Sequence, residues 1–319
     1  MGKTYEGGVP LAEVVRSGFV EGVHRGSVVV LDAAGVPVAA AGDVTAPVFP
    51  RSSNKPMQAV GMIRAGLPLT DPADLALVSA SHAGEEFHLA RVGALLAQAG
   101  LDESALHCPP DLPVGEDARA AVLRAAGGPT RIQMNCSGKH SGMLLTCRAA
   151  GWPLEGYWRP EHPLQERLRE AVEELTGEPV AATGVDGCGA PVLAVSLTGL
   201  ATAFLRLVSA EPGAVPRVVA DAMRAHPEIV GGTQADDTRL MRGVPELLAK
   251  VGAEGVIAAA VPGVGAVALK IDDGAGRARM PVLVSALRRL GVAAPVLEEF
   301  AEVPLFGGGL PVGAVRPLW

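Results

Sequence analysis

Residues 27–41 read SVVVLDAAGVPVAAA, and this stretch decides how the sheet of the protein begins. Two apolar runs, Ser27–Leu31 and Val36–Ala41, are separated by Asp32-Ala33-Ala34-Gly35. The aspartate and the glycine favour a turn, because aspartate hydrogen-bonds to the nearby backbone and glycine accepts left-handed conformations. Two apolar runs on either side of such a turn predict a β-hairpin.

A second hairpin is predicted near the other end of the chain, where Gly255–Val261 and Val264–Ile271 flank Pro262-Gly263. Strands at both ends with helices between them predict an α+β fold, in which an antiparallel sheet is completed by the N- and C-terminal strands and accompanied by a helical region. We expect one domain over residues 1–319. Eight further segments are predicted to be helical: Pro56–Ala65, Glu85–Ala99, Glu116–Ala126, Pro163–Thr176, Val192–Val208, Pro216–Ala225, Thr238–Val251 and Met280–Leu290.

Composition excludes several classes of function. The net charge of −7 argues against nucleic acid or an anionic membrane as the partner, since both attract basic surfaces. No apolar run approaches the roughly 20 residues of a membrane span, and the N-terminus lacks the apolar core of a secretory signal. Four cysteines are too few for a disulfide scaffold in 319 residues. We therefore expect a cytoplasmic protein with reduced thiols.

Lysine is scarce, and its placement is informative. Only Lys3, Lys55, Lys139, Lys250 and Lys270 are lysines among 27 basic residues, which leaves 27 − 5 = 22 arginines. A desolvated lysine can lose its proton and act as a base or a ligand, whereas arginine cannot. Three of the five lie in compact polar motifs, which suggests chemistry that needs a neutral amine. Lys3 and Lys250 are interpreted as ordinary surface charge.

The first motif is Ser52-Ser53-Asn54-Lys55. Ser52 and Lys55 are three residues apart, so they share one face if a helix begins here. A serine hydroxyl becomes a good nucleophile when a neighbouring base takes its proton, and a buried lysine with a lowered pKa can be that base. The alternative is a helix capped by Ser52 or Ser53 and followed by an exposed lysine.

The second cluster, SASHAGE at residues 79–85, follows an apolar stretch and precedes a predicted helix. Ser81 and His82 would place a hydroxyl and an imidazole at the entrance of a pocket. Lys270, near the end of an apolar strand, is a candidate long-range base for Ser81. Alternatively, Ser81 and Glu85 cap the helix, and Lys270 pairs with one of the two aspartates that follow it.

The third cluster is NCSGKHSGML at residues 135–144, and a glycine-rich loop with one acid and another cysteine follows fifty residues later. So many polar groups are costly to bury unless each has a partner, which favours a pocket or a metal. Cys136 and Cys188 could share a zinc ion. His140 is the third ligand favoured by softness, and Lys139 could serve only if deprotonated. Two inert core cysteines are the alternative.

The last motif is GGTQADDTRLM at residues 231–241. Asp236 or Asp237 could cap the helix predicted from Thr238. Alternatively, one carboxylate holds the ammonium group of a substrate, and the glycines allow the backbone to approach it closely.

Together these segments resemble the class 3, rhizobial-type L-asparaginases, also called the asparaginase II family. The matching pieces follow the family order across most of the chain: RSSNKP at 51–56, SHAGE at 81–85, NCSGKHSGML at 135–144, DGCGAP at 186–191, GGTQADDTRLM at 231–241 and KIDDG at 270–274. The resemblance implies a fold like that of the serine β-lactamases and serine-dependent glutaminases, a homodimer, and hydrolysis of L-asparagine to L-aspartate and ammonia.

The resemblance also implies two serine–lysine pairs, Ser52 with Lys55 and Ser81 with Lys270. In the expected mechanism Lys55 takes the proton of Ser52, which attacks the side-chain amide, while the second pair moves protons to the leaving ammonia. The two serines could exchange these roles. The closest rival function is a glutaminase or another amidohydrolase of the same fold.

A supporting zinc site is implied at Cys136, Lys139 and Cys188, in place of the His140 ligand favoured by softness. If that site were purely structural, the protein could instead be a non-catalytic zinc or amino-acid binding protein. Seven residues are expected to contact the substrate: Arg51, His82, Glu85, Asn135, His140, Asp186 and Asp237.

Overall fold

A computed structural model describes residues 4–319 and confirms the α+β class, with an antiparallel sheet that strands from both termini complete. The strands are β1 (Val9–Arg16), β2 (Phe19–Asp32), β3 (Pro37–Ala41), β4 (Pro47–Val48), β5 (Ala182–Val185), β6 (Pro191–Ser196), β7 (Leu248–Val251), β8 (Val256–Val261), β9 (Gly265–Ile271), β10 (Val303–Gly307) and β11 (Leu310–Pro317). The α-helices are α1 (Lys55–Arg64), α2 (Pro72–Val78), α3 (Glu86–Gln98), α4 (Glu116–Arg124), α5 (Ser137–Ala150), α6 (Pro163–Thr176), α7 (Leu197–Ser209), α8 (Val215–Ala225), α9 (Pro227–Val230), α10 (Asp236–Gly243), α11 (Gly276–Arg289) and α12 (Val296–Phe300).

The main sheet joins the two ends of the chain. Its strand order is β10-β11-β1-β2-β9-β8-β7, with β3 paired to β2, and every pairing is antiparallel. A smaller sheet has the order β4-β6-β5. The last strand, β11, pairs with β1, so the C-terminal segment closes the sheet beside the N-terminal one. That arrangement is the one predicted from the sequence.

Both predicted hairpins are present and lie side by side. In the first, the Asp32 carboxylate accepts hydrogen bonds of 2.9 Å from the N–H groups of Ala34 and Val36, which holds the turn. The second hairpin is β8–β9, and β2 pairs with β9 so that Ser27 lies opposite Lys270. Strands β8 and β9 are buried along almost their whole length, because α7 packs against them and α11 packs against β9 and β1.

Two predicted helices are wrong in part. The segment predicted as a helix over Val192–Val208 begins as strand β6, and the helix starts only at Leu197, where the Ser196 hydroxyl accepts a hydrogen bond of 2.8 Å from Gly199 N–H. The segment Thr238–Val251 is helical only to Gly243 and ends as strand β7. In Val192–Val208 a largely apolar run concealed the change, because a buried strand and a buried helix both read as apolar sequence. In Thr238–Val251 the break is marked by Gly243 and Pro245, which end the helix before the strand begins.

Helix α5 was not predicted, although it carries the third polar cluster. Its first turns hold Ser137, Lys139, His140 and Ser141, all buried. No apolar stripe marks this helix, since its polar side chains face the interior, and periodicity therefore gives no signal. Within the part of the chain that is described, no helix is long and apolar enough to cross a membrane. Lys3 lies outside the described residues.

Candidate active site

A cavity of about 520 Å³ is lined by three segments, residues 81–85, 114–118 and 231–237, together with Val251. Ser81 reaches it from the loop after α2, and Asp237 reaches it from the first turn of α10. The charged side chains that line it are all acidic, which suits a ligand with a cationic group. The lining residues are Ser81, Ala83, Glu85, Val114, Gly115, Glu116, Asp117, Ala118, Gly231, Thr233, Gln234, Ala235, Asp237 and Val251.

Lys55 is hydrogen-bonded to Ser81 at the wall of this cavity. The side chain of Lys55 is buried at the start of α1, and its Nζ lies 2.9 Å from Ser81 Oγ. The same Nζ donates to the Ala80 carbonyl oxygen and lies 3.1 Å from Cys136 Sγ. Three acceptors therefore hold the amine in one position, beside a hydroxyl that faces the cavity.

The pairing expected from the resemblance is different, since it joins Lys55 to Ser52. Ser52 lies in a short 3₁₀ turn, Arg51–Asn54, which runs directly into α1. No hydrogen bond to the Ser52 hydroxyl is found among residues 4–319. Neither serine of this motif caps α1: the cap position is Asn54, and the Ser53 hydroxyl donates to the Lys250 carbonyl oxygen at 2.9 Å.

Lys270 also has partners other than the expected one. Its Nζ donates to the carbonyl oxygen of Glu254 at 3.0 Å, and the carbonyl oxygen of Ile271 is 3.5 Å away. Ser81, its expected partner, is bonded to Lys55 instead. The reason is topological: Lys270 stands at the end of β9 opposite Ser27 and is only half-buried, whereas the buried Lys55 approaches the cavity from α1.

Lys250 is not surface charge, and that interpretation was wrong. Its side chain is fully buried in β7, where Nζ lies 3.7 Å from Asp237 Oδ2 and donates to the Val251 carbonyl oxygen at 2.9 Å. Burial lowers the pKa of Lys250 to about 8, although the Asp237 carboxylate acts in the opposite direction. The charges of Lys55 and Arg279 lower this pKa as well, and Cys136 raises it.

A signal for Lys250 was present in the sequence. It is the single charged residue in LLAKVG, an apolar run at residues 247–252. A lysine inside such a run is either buried with a partner or placed on an exposed strand face, and only the tertiary structure distinguishes the two.

Asp237 is held rigidly beside Lys250. The carboxylate is fully buried, and Oδ1 lies 3.2 Å from the N–H of Thr238. A Cβ atom on Gly231 would lie 2.4 Å from that oxygen, so only glycine fits there. The predicted substrate-binding residue Asp237 thus lines the cavity and also pairs with a lysine.

Two of the buried histidines, His82 and His140, are predicted substrate-binding residues. Burial lowers the pKa of His82 well below its ordinary value, and the charges of His88 and Lys55 act in the same direction. The Ser137 hydroxyl donates to the Ile132 carbonyl oxygen, so it accepts the proton of His82 Nε2 at 2.8 Å. That bond fixes the tautomer and leaves His82 Nδ1 buried without a partner.

His140 is arranged in a similar way. Its Nδ1 is 2.8 Å from the Tyr157 hydroxyl, and Nε2 is buried with no hydrogen bond in the described structure. Burial also lowers the pKa of His140. Interaction with Cys188 acts in the opposite direction and raises this pKa, which places the imidazole beside the cysteine cluster as a candidate ligand for a metal or hydrogen-bond donor to a thiolate.

Cys136 and Cys188 are both buried, and each shifts the pKa of the other. Interaction with Cys136 lowers the pKa of Cys188 strongly, and Lys139, whose Nζ lies 3.3 Å from Cys188 Sγ, lowers it further. The pKa of Cys136 is raised, by Cys188 and by burial. Burial opposes the charge on Lys139, but Cys188 and Cys136 more than offset it, so the pKa of Lys139 is raised. The two cysteines and the lysine therefore form a compact buried set.

The donor chemistry of this set fits the predicted zinc site. Two cysteines and a lysine supply two thiolates and an amine, once a metal has displaced their protons. Over residues 4–319, no group of three His, Cys, Asp or Glu side chains is placed to hold a metal ion. A zinc site here would therefore depend on the lysine or on a group from outside the chain.

Arg51 links the 3₁₀ turn to the glycine-rich loop. Its guanidinium lies 2.7 and 2.8 Å from Asp186 Oδ1, while its backbone has a φ of +51°, which is unusual for a residue with a side chain. Such strained positions cluster at functional sites.

Asn135 contacts Cys136 and His82: its Oδ1 is 3.2 Å from Cys136 Sγ, and its carbonyl oxygen accepts from His82 N–H.

Glu85 is bonded to the neighbouring segment of the cavity lining. Its Oε1 accepts from Thr233 N–H and its Oε2 accepts from the Thr233 hydroxyl, both at 2.7 Å. Thr233 could not be predicted as a site residue from the sequence, because threonine in a GGT turn is common and nothing local marks its partner, 148 positions away.

Comparison with family models places the chain among the amidohydrolases. It belongs to the L-asparaginase II family, whose model matches residues 12–317. This confirms the family predicted from the motifs and indicates an enzyme of the asparaginase type. No curated protein matches the chain.

Two solved structures are similar to the chain at low identity. The native form of the protein called Mglu has a TM-score of 0.45 and 15% identity, covering 84% of this chain and 63% of its own. A β-lactamase from Mycobacterium bovis has a TM-score of 0.45 and 16% identity, covering 83% of this chain and 94% of its own. The chain thus spans 63% of the length of Mglu. At these scores the likenesses say nothing about substrate or mechanism.

Proposed function

We propose that the protein hydrolyses L-asparagine to L-aspartate and ammonia by acyl transfer to Ser81, with Lys55 as the base. The observation that carries this proposal is the 2.9 Å hydrogen bond between Lys55 Nζ and Ser81 Oγ at the cavity wall. Distances of this size are those expected of a nucleophile and its base. Family membership supplies the reaction type.

The reaction begins when Lys55, in its uncharged form, takes the proton of Ser81. Ser81 Oγ then attacks the side-chain amide carbon, and ammonia leaves with a proton supplied by Lys250. Water gives a proton back to Lys250 as it attacks the acyl-enzyme, and Lys55 returns its proton to Ser81 Oγ as aspartate is released. The N–H groups of Ser81 and His82 are bonded to the carbonyl oxygens of Val230 and Asn135. Neither can stabilise the oxyanion, so that donor must come from another segment.

Lys250 and Asp237 would act at the step in which ammonia leaves. A lysine with a pKa of about 8 can gain or lose a proton near neutral pH, as proton transfer to a leaving amine requires. Asp237 balances the charge of Lys250 and lines the cavity, where it can also attract the substrate ammonium group. Lys250 thus takes the role predicted for Lys270, which was to move a proton to the leaving ammonia.

Zinc, held by Cys136, Lys139 and Cys188, would polarise or anchor a substrate oxygen when bound. Arg51 and Asp186 are proposed to orient the loop that carries Cys188. The homodimer implied by the resemblance and the cytoplasmic location predicted from composition stay predictions, and light scattering of the purified protein would test the first.

The test is to measure ammonia release from L-asparagine by the wild type, Ser81→Ala and Ser52→Ala. We expect Ser81→Ala to lose at least about 1,000-fold in kcat, a typical cost of removing a nucleophile. Ser52→Ala should retain a larger share of the activity. Mass spectrometry of the acyl-enzyme trapped by acid quenching should find the adduct on the peptide that contains Ser81.

An adduct on Ser52 would reverse the assignment of the nucleophile while keeping the reaction. No ammonia release by the wild type, with or without added zinc, would overturn the proposed function and favour a binding protein. Running glutamine in parallel separates an asparaginase from a glutaminase.

A further inference from the structure

Two segments at the cavity, 81–85 and 230–233, are joined by a hydrogen-bonded bridge between Glu85 and Thr233, which are distant in sequence. Glu85 lies four residues after Ser81, and Thr233 lies four residues before Asp237. Both oxygens of the Glu85 carboxylate are occupied, one by the N–H and the other by the hydroxyl of Thr233, each at 2.7 Å. Hydrogen bonds to a charged acceptor are stronger than those between neutral groups.

The two walls are also in close steric contact. Gly232 has a φ of +132°, and a Cβ atom there would lie 2.4 Å from Ala83 Cβ and 2.9 Å from Glu85 Oε1. At the inner end, Ser81 N–H donates to the Val230 carbonyl oxygen at 2.9 Å. The segment 230–233 is therefore attached to the segment 81–85 at both ends, with no room between them.

We propose that Glu85 is a positioning residue, whose bridge to Thr233 holds segments 81–85 and 230–233 together as one rigid wall of the cavity and so favours the side chain of asparagine over the longer side chain of glutamine. The proposal rests on the proposed function. It differs from the expectation that Glu85 contacts the substrate, since both of its oxygens are already engaged by the protein.

The physical reason is the size of the discrimination required. Glutamine differs from asparagine by one methylene group, and a rigid pocket distinguishes such a difference by about 10- to 200-fold. A wall that can yield by even a fraction of an ångström loses part of that discrimination. The bridged residue Thr233 lies three positions before the first residue of α10, which carries Asp237 to the cavity.

The experiment compares Thr233→Val, Glu85→Gln and the double variant with the wild type. Thr233→Val is the cleaner change, because it removes the hydroxyl bond and keeps the backbone bond, whereas Glu85 also occupies the N-cap position of α3. Glu86→Gln is the matched control, since Glu86 is the exposed neighbour and undergoes the same change of charge. Steady-state kinetics on asparagine and glutamine are measured together with hydrogen exchange of residues 231–237.

For Thr233→Val we expect KM for asparagine to rise about three- to tenfold with a smaller change in kcat, the size expected for one lost hydrogen bond to a carboxylate. The ratio of kcat/KM for asparagine over glutamine should fall by a similar factor. Exchange over 231–237 should become faster in all three bridge variants and stay unchanged in Glu86→Gln. The double variant should lose less than the sum of the single effects.

Unchanged exchange and an unchanged asparagine-to-glutamine ratio in Thr233→Val and Glu85→Gln would overturn the proposal. A wild type without turnover would refute the proposed function instead, and the exchange measurement would still decide whether the bridge holds the wall. Faster exchange with an unaltered ratio would mean that the bridge stabilises the wall without determining specificity, which also overturns the proposal.

Discussion

The buried pair of Asp237 and Lys250 leads to the most demanding prediction. Replacing Asp237 by Asn keeps the shape of the side chain and removes its charge. Lys250 is fully buried, its ordinary pKa is already lowered to about 8 by that burial, and Asp237 is the carboxylate that raises it. The pKa of Lys250 should therefore fall further in Asp237→Asn, so that more of the lysine is neutral at pH 7.

The size of the effect follows from the distance between the charges. At 3.7 Å and an effective dielectric constant of about 20, two unit charges attract by roughly 4 kcal/mol, which is an upper bound. One pH unit corresponds to about 1.4 kcal/mol. Because Lys250 is proposed to donate a proton, its pKa sets the alkaline limb of the pH profile, and we expect this limb to move from near pH 8 toward lower pH by about one to three units.

The same substitution should alter stability with a defined sign. A lysine whose pKa is lower in the folded state binds fewer protons there than in the unfolded state, so it costs stability at low pH. In the wild type this cost is relieved as the pH rises from about 8 toward the ordinary lysine value. Removing one partner of a buried pair costs about 3–5 kcal/mol of the free energy of unfolding, measured by denaturant titration at pH 7.

The assay is the pH profile of asparagine hydrolysis from pH 5.5 to 10, combined with NMR titration of isotope-labelled lysine. The chain contains only five lysines, so the Lys250 signal can be assigned by substitution. Asp236→Asn is the control, because Asp236 is the adjacent acid, its side chain is 41% exposed, and it pairs with Arg279. An alkaline limb and a Lys250 titration that stay at the wild-type pH in Asp237→Asn would refute the reasoning.

Three further outcomes are expected. Lys270→Arg should keep activity within about threefold, because its amine donates to the Glu254 and Ile271 carbonyl oxygens and arginine can do the same; a loss beyond 100-fold in the ammonia assay would restore Lys270 to the catalytic set. Cys188→Ser should lower the zinc content of the purified protein at least tenfold by elemental analysis, and an unchanged content would place zinc elsewhere. Phe204→Ala, at a fully buried position in α7, should lower the free energy of unfolding by about 3–5 kcal/mol in denaturant titration, and a loss below about 1 kcal/mol would contradict its place in the core.

The sequence was most informative where local pattern and tertiary environment agree. The hairpin at residues 27–41 could be predicted because its turn residues and its apolar runs act over a few positions. The helix over Pro163–Thr176 was predicted to the residue, since proline starts it and Gly177 ends it with a φ of +76°. Strand β6 and helix α5 escaped, because burial on all sides removes the periodicity that distinguishes them.

In the candidate site, too, one part could be predicted from the sequence and another part only from the tertiary structure. Motif order alone indicated the family and named Ser81, Lys55, Cys136 and Cys188. It did not indicate which serine Lys55 meets, since the helical spacing of Ser52 and Lys55 suggested one partner and the packing of α1 against the loop after α2 provided another. A short motif shows which chemical groups are present, but it does not determine the distances between their side chains.

Lys250 shows the limit most clearly. By itself, the sequence indicated an α+β fold, the asparaginase II family and few, selectively placed lysines. Only the tertiary structure decided that Lys250 is buried beside Asp237, that Lys270 is bonded to backbone carbonyls, and that Glu85 is bonded to Thr233 at the cavity wall. The physical reason is that local structure depends on neighbours in the chain, whereas the pKa and the partner of a side chain depend on burial and on charges that folding brings from distant positions.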